Sequence, residues 1–90
     1  MAELIREHPT PVVSTDQTPY IGQICGEPMS DGRWQGWIVF VPIAGGQVHR
    51  TDRETTQSTR AALEYWATSV TPVYLEGALA RSTPVNGSAA

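Results

Sequence analysis

Cys25, His49 and either Asp52 or Glu54 supply the residue types of a nucleophile, a base and an orienting acid. The sequence around them argues against that use. Tyr20-Ile-Gly-Gln-Ile-Cys25 reads as a strand, so neither a helix N-terminus nor a basic neighbour is placed to lower the thiol pKa. In a simple meander, the tryptophan-bearing strand that follows would also stand between Cys25 and His49. A buried structural cysteine is the expectation. For a metal, the candidates are His8, His49, Asp52 and Glu54. His8 falls in a segment without periodicity, and His49 with a downstream carboxylate lacks the second histidine or cysteine that zinc normally takes. No catalytic residue, metal ligand or cofactor is assigned, and the chain is expected not to be an enzyme.

The densest polar constellation is Thr51-Asp-Arg-Glu-Thr-Thr-Gln57. Arg50 and Arg53 could each grip a carboxylate or phosphate through paired N–H bonds, and a helix beginning here would add backbone donors for an anion. The plainer reading is that Thr51 and Glu54 cap the helix while Arg53 makes a surface ion pair worth under about 1 kcal/mol. Charge favours the plainer reading. From Arg50 to Arg60, three arginines face two carboxylates, and the whole chain carries a formal charge of −3. A protein that tracks phosphates needs a basic surface. All six basic residues are arginine, a pattern that the codon bias of a GC-rich bacterial genome explains.

The elements that must position these residues follow from periodicity. Arg33 to Val41 is the strongest strand, with Trp34, Gly36, Ile38 and Phe40 on one face and Trp37, Val39 and Val41 on the other. Apolar residues on both faces predict a central strand covered on two sides. Tyr20–Cys25 is the strand before it, with Asp31-Gly32 the turn signal between them. Gln47 to Arg50 returns after Ala44-Gly45-Gly46 as a third strand. Ala62, Leu63, Trp66, Ala67 and Val70 form a helical stripe, which predicts a helix over about Thr55 to Ser69 with Trp66 in the core. Thr71-Pro72 repeats helix-start grammar, so residues 73–81 form a second helix, with a short strand at 73–75 as the alternative.

The expected fold is α+β: a three-stranded antiparallel meander followed by one or two C-terminal helices packed on one face. Ninety residues make one domain that buries roughly 60–65% of its unfolded surface, a thin core. Residues 1–17 read as a flexible N-terminal segment, 18–81 as the domain, and 82–90 as a flexible tail. No apolar run approaches a membrane span, no secretory h-region is present, and a single cysteine excludes an internal disulfide, so a cytoplasmic location is expected.

Gly32-Arg-Trp-Gln-Gly-Trp-Ile-Val-Phe-Val-Pro42, Thr51-x-Arg-Glu-Thr-Thr-Gln57, Tyr65-Trp-Ala and Val73-Tyr-Leu-Glu-Gly-Ala-Leu79 together resemble a family of small bacterial proteins of unknown function. The resemblance covers residues 20 to 81. It implies a bacterial cytoplasmic protein and transfers no catalytic residue. The strand–strand–helix order is also similar in topology to the HicB type of antitoxin, without that group's aspartate-rich motif after Pro42. The expected function is a non-enzymatic protein-interaction or regulatory module, homodimeric, with Trp34, Trp37, Arg50, Arg53, Glu54 and Gln57 as its candidate interaction surface. The alternative is a small nucleic-acid-associated protein using Arg50, Arg53 and Arg60.

Overall fold

One long hairpin organises the chain. The structure, a computed structural model, describes residues 2–85. Strands β3 (Pro19–Pro28) and β4 (Trp34–Pro42) pair antiparallel from Tyr20 opposite Pro42 to Pro28 opposite Trp34. The Asp31-Gly32 turn lies where its sequence places it. Gly32 sits at φ 88°, a left-handed conformation that costs glycine little, and Asp31 Oδ1 accepts from the Arg33 N–H at 3.0 Å. β3 runs on through residues 26–28, past its expected end at Cys25.

The three-stranded meander is corrected: among the described residues the antiparallel sheet has seven strands. β1 (Glu3–Glu7) and β2 (Val12–Val13) follow one another along the outer edge of β3. β5 (His49–Arg50) and β6 (Thr55–Gln57) do the same along β4, and β7 (Thr83–Pro84) pairs with β5. Beside β3 and beside β4 alike runs one interrupted strand, and β7 adds a short strand outside β5. Pro9 and Pro11 cannot donate to a ladder, so the first edge breaks between β1 and β2. On the other edge the chain bows out at Asp52 and Arg53. It stays tethered by Thr51 N–H to Ile38 O at 2.9 Å and Glu54 N–H to Gly36 O at 2.8 Å.

Residues 3–7 and 12–13 therefore belong to the sheet, where a flexible segment was expected over 1–17. His8, between them, is 7% exposed. Its N–H donates to Gly22 O at 2.9 Å, and its Nδ1 lies 3.2 Å from the Thr10 N–H. In the expected tail, Thr83 and Pro84 are strand, and residues 86–90 lie outside the described residues.

Helix α1 spans Arg60–Ser69 and α2 spans Pro72–Arg81. The expected start of α1 at Thr55 is corrected, because Thr55–Gln57 pair with β4 as β6. The N-cap is Thr59, whose hydroxyl accepts from the Ala62 N–H at 3.0 Å. The start of α2 is as its sequence predicts: Thr71 accepts from the Tyr74 N–H at 3.1 Å and Pro72 opens the helix.

Both helices cover the sheet face that carries Gly22, Ile24, Gly26, Gly36, Ile38 and Phe40. Ile24, Ile38, Phe40, Leu63, Ala67, Leu75 and Ala78 are fully buried between the layers. Leu63 reaches the sheet where Gly26 and Gly36 pair, and a methyl at either glycine would overlap its side chain. Trp66, expected in the core, is half-buried and packs against it, meeting the Tyr74 ring edge-on at 5.9 Å. Among the described residues no helix is long and apolar enough to cross a membrane.

Candidate functional site

Among the described residues no helix covers the opposite sheet face. Ile21, Gln23, Cys25 and Glu27 of β3 lie there beside Gln35, Trp37, Val39 and Val41 of β4, since each is out of phase with the helix-facing set. Leu4 pairs with Cys25 on this face and is 53% exposed. Arg50, opposite Val39, lays its guanidinium over the Trp37 ring at 4.7 Å from the centroid. That cation–π contact helps to leave Trp37 only 5% exposed although no helix covers it.

Charge is distributed unevenly across this face. Glu7 accepts from Gln23 Nε2 at 3.2 Å on the β1 side, and Glu27 accepts from Gln35 Nε2 at 3.1 Å on the β3–β4 hairpin. Arg50 occupies the β5 side. The face is therefore acidic toward one edge and basic toward the other, with Leu4, Cys25, Trp37 and Val39 between.

The constellation of Cys25, His49 and a carboxylate is not assembled. Cys25 lies on the open face, whereas His49 pairs with Phe40 and points to the helix side. Burial pushes the Cys25 thiol pKa up, and the charge of Arg50 opposes that only in part. A protonated thiol is a poor nucleophile. Among the described residues no group of three or more histidine, cysteine or carboxylate side chains could hold a metal ion.

The polar segment is mostly structural. Thr51 is 2% exposed, and its hydroxyl accepts from the Ile38 N–H at 3.1 Å. It fills a gap in the interrupted edge and caps no helix. Glu54, also expected at a cap, turns inward with its side chain 8% exposed and accepts from Tyr74 Oη and the Arg81 guanidinium. Burial alone would raise its pKa. The hydrogen bonds from Arg81 and Tyr74, with the Arg81 charge, outweigh burial and hold the carboxyl below its ordinary range. The same contact acts on Tyr74, whose phenol is pushed up to about 12 by burial and by bonding to Glu54.

The six residues of the expected interaction surface are thus not one patch. Trp37 and Arg50 stand together on the open face. Trp34 and Gln57 pair at the helix-side margin, where the Arg60 guanidinium lies 6.0 Å from the Trp34 ring and Gln57 Nε2 donates to Thr55 Oγ1 at 2.6 Å. Glu54 is held by α2, and Arg53 reaches Met29 Sδ at 3.8 Å rather than forming the expected ion pair. Arg50, Arg53 and Arg60 do not converge either, because Arg60 is bonded to Glu3 and Glu64. Sequence reasoning missed Leu4, Glu7 and Glu27. Alternation along Tyr20–Pro28 would have placed Glu27 on the face of Cys25.

A separate cleft of about 510 Å³ opens on the helix side, between the turn after β2, the start of β5 and the outer part of α2. The chain matches no protein-family model, no curated protein and no solved structure.

Proposed function

We propose that the protein is a non-enzymatic interaction module of the bacterial cytoplasm that acts as a homodimer through its open sheet face. The observation that carries this reading is that both helices pack on one face. The other keeps a row of apolar side chains, Leu4, Cys25, Trp37 and Val39, flanked by charge of opposite sign. An isologous contact must be self-complementary. A two-fold axis along the strands, between β3 and β4, would set the Arg50 side of one copy over the Glu7 side of the other. Size agrees as well. Ten-residue β3 is roughly 33 Å long, and four strand positions spaced about 4.8 Å apart give a face of roughly 600 Å² in projection. A standard interface buries about 800 Å² of accessible surface per partner. The single cysteine fits a reducing compartment.

The nucleic-acid alternative has less support, since Arg50, Arg53 and Arg60 occupy three different regions and Arg60 is already paired. Sedimentation velocity tests the dimer. The wild-type chain is expected to sediment as a dimer at micromolar concentration, and Val39→Glu as a folded monomer by circular dichroism. A wild-type monomer throughout the micromolar range, or an intact Val39→Glu dimer, would overturn the proposal.

A further inference from the structure

We propose that the cleft between the 13–16 turn, β5 and α2 is a binding site for a small molecule that carries a cationic amine on an apolar body. Its volume of about 510 Å³ lies within the range of small-molecule pockets, roughly 300–1,000 Å³. Val13, Tyr20, Leu79 and Ala80 give it apolar walls, which suit the body of such a ligand. Its charged lining is acidic: Asp16 enters from the turn and Glu76 from α2, and no arginine lines it. A cleft bounded by one sign of charge concentrates ligands of the other sign.

Two local features prepare it for a donor. The Ser14 hydroxyl and the Thr18 N–H both bond Oδ1 of Asp16, the latter at 3.1 Å, and so fix the carboxylate at the cleft. Hydrogen bonds from the Ser14 hydroxyl and from the side chain and N–H of Thr18 hold the Asp16 carboxyl below its ordinary pKa, so it remains charged into the acid range. The turn that presents Asp16 includes Gln17 at φ 70°, a left-handed conformation that a residue other than glycine adopts at a cost.

The second feature is His49. Its ring packs edge-on against Tyr20 at 5.8 Å and lines the cleft, and its Nδ1 is buried without a hydrogen-bond partner. It is the one such side-chain nitrogen or oxygen among the described residues. Buried polar atoms are nearly always paired, so the His49 ring, which lines the cleft, lacks a partner that a ligand supplies once the ring turns toward it. In the Nε2–H tautomer, Nδ1 accepts, as the two carboxylates do. Three acceptors without a cation among them favour an ammonium group.

Nuclear magnetic resonance on the ¹⁵N-labelled full chain tests the site with three probes of one shape: phenethylamine, 2-phenylethanol and 3-phenylpropanoate. Phenethylamine is expected to give saturable shifts at the Asp16, His49 and Leu79 amides and at the His49 ring nitrogens. The neutral alcohol should bind about tenfold more weakly, the loss of one charge-assisted hydrogen bond. The carboxylate should leave those signals unmoved. Glu76 and Ala80 are exposed on α2, so changes there spare the core. Glu76→Gln should weaken the amine about tenfold, and Ala80→Trp should abolish its binding by filling the cleft. Equal shifts from all three probes, no saturable response to the amine, or unchanged binding by Ala80→Trp would overturn the proposal. The cleft lies on the helix side, so the result is independent of whether the open face forms a dimer.

Discussion

Gly26 and Gly36 face each other across β3 and β4, and Leu63 of α1 occupies the notch left by their missing side chains. A methyl at Gly36 would lie 2.7 Å from Leu63 Cδ1. Overpacking a filled core costs about 1–3 kcal/mol, so Gly36→Ala should lower the urea midpoint by that amount of stability. Because the strain acts through Leu63, adding Leu63→Ala should cost less in the Gly36→Ala background than in the wild type. Strict additivity would show that Leu63 does not fill the notch.

Glu54 and Arg81 join the interrupted edge of the sheet to the end of α2. Arg81→Met would leave a buried carboxylate short of its main donor, at a cost of about 1–3 kcal/mol near neutral pH. The folded-state pKa of Glu54 lies below its unfolded value, so its contribution is fully present above the unfolded value of about 4.3. It is lost as the pH falls through the lower, folded value. Urea midpoints of wild type and Arg81→Met should therefore differ near neutral pH and converge in acid. A gap that persists in acid would mean that packing of the arginine stem, not its charge, was lost.

Tyr74 provides an optical reading of the same contact. Its phenol should titrate at about 12, later than an ordinary tyrosine near 10. Phenolate absorbance should show that late component, with circular dichroism following the fold through the same scan. Tyr74→Phe should remove it, and a late component that survived the substitution would belong to another tyrosine.

The N-terminal strand should resist amide exchange where it is bonded inward. The His8 N–H is buried and donates to Gly22 O, so its exchange should be slow and approach that of the hairpin centre. Exchange at the unprotected rate would show β1 to be detached in solution.

Much of the fold is legible in the sequence where one period dominates. Trp37 to Val41 is an unbroken apolar run that reads as a central strand, Leu63, Ala67 and Val70 recur at helical spacing, and Thr71-Pro72 starts a helix by local grammar alone. The edges were hidden because their signals are short and mixed. Glu3-Leu-Ile-Arg-Glu7 shifts register between Leu4 and Arg6, which spoils the alternation, and the prolines at 9 and 11 disguise a strand that merely pauses. Thr51 and Glu54 stand at capping-box spacing, and so do Thr55 and Ser58, yet Thr59 is the cap. The residues ahead of it are claimed by β4, a competition that local spacing cannot reveal. The Glu54–Arg81 contact links positions far apart in the chain. The cleft draws on four separate segments, so neither could be read from a motif.

The interrupted edges decide how this protein can associate without growing into a fibre. An unbroken edge strand is a template on which further chains can add indefinitely. Here the longest outer strand, β1, has five residues, three of them charged, and it carries an irregularity midway. The opposite edge is cut into the two-residue β5, capped by β7, and the three-residue β6. Growth by strand addition is thereby discouraged at both ends of the sheet. In the proposed homodimer the open face would be used up by a single contact with its own copy, and the assembly would stop at two.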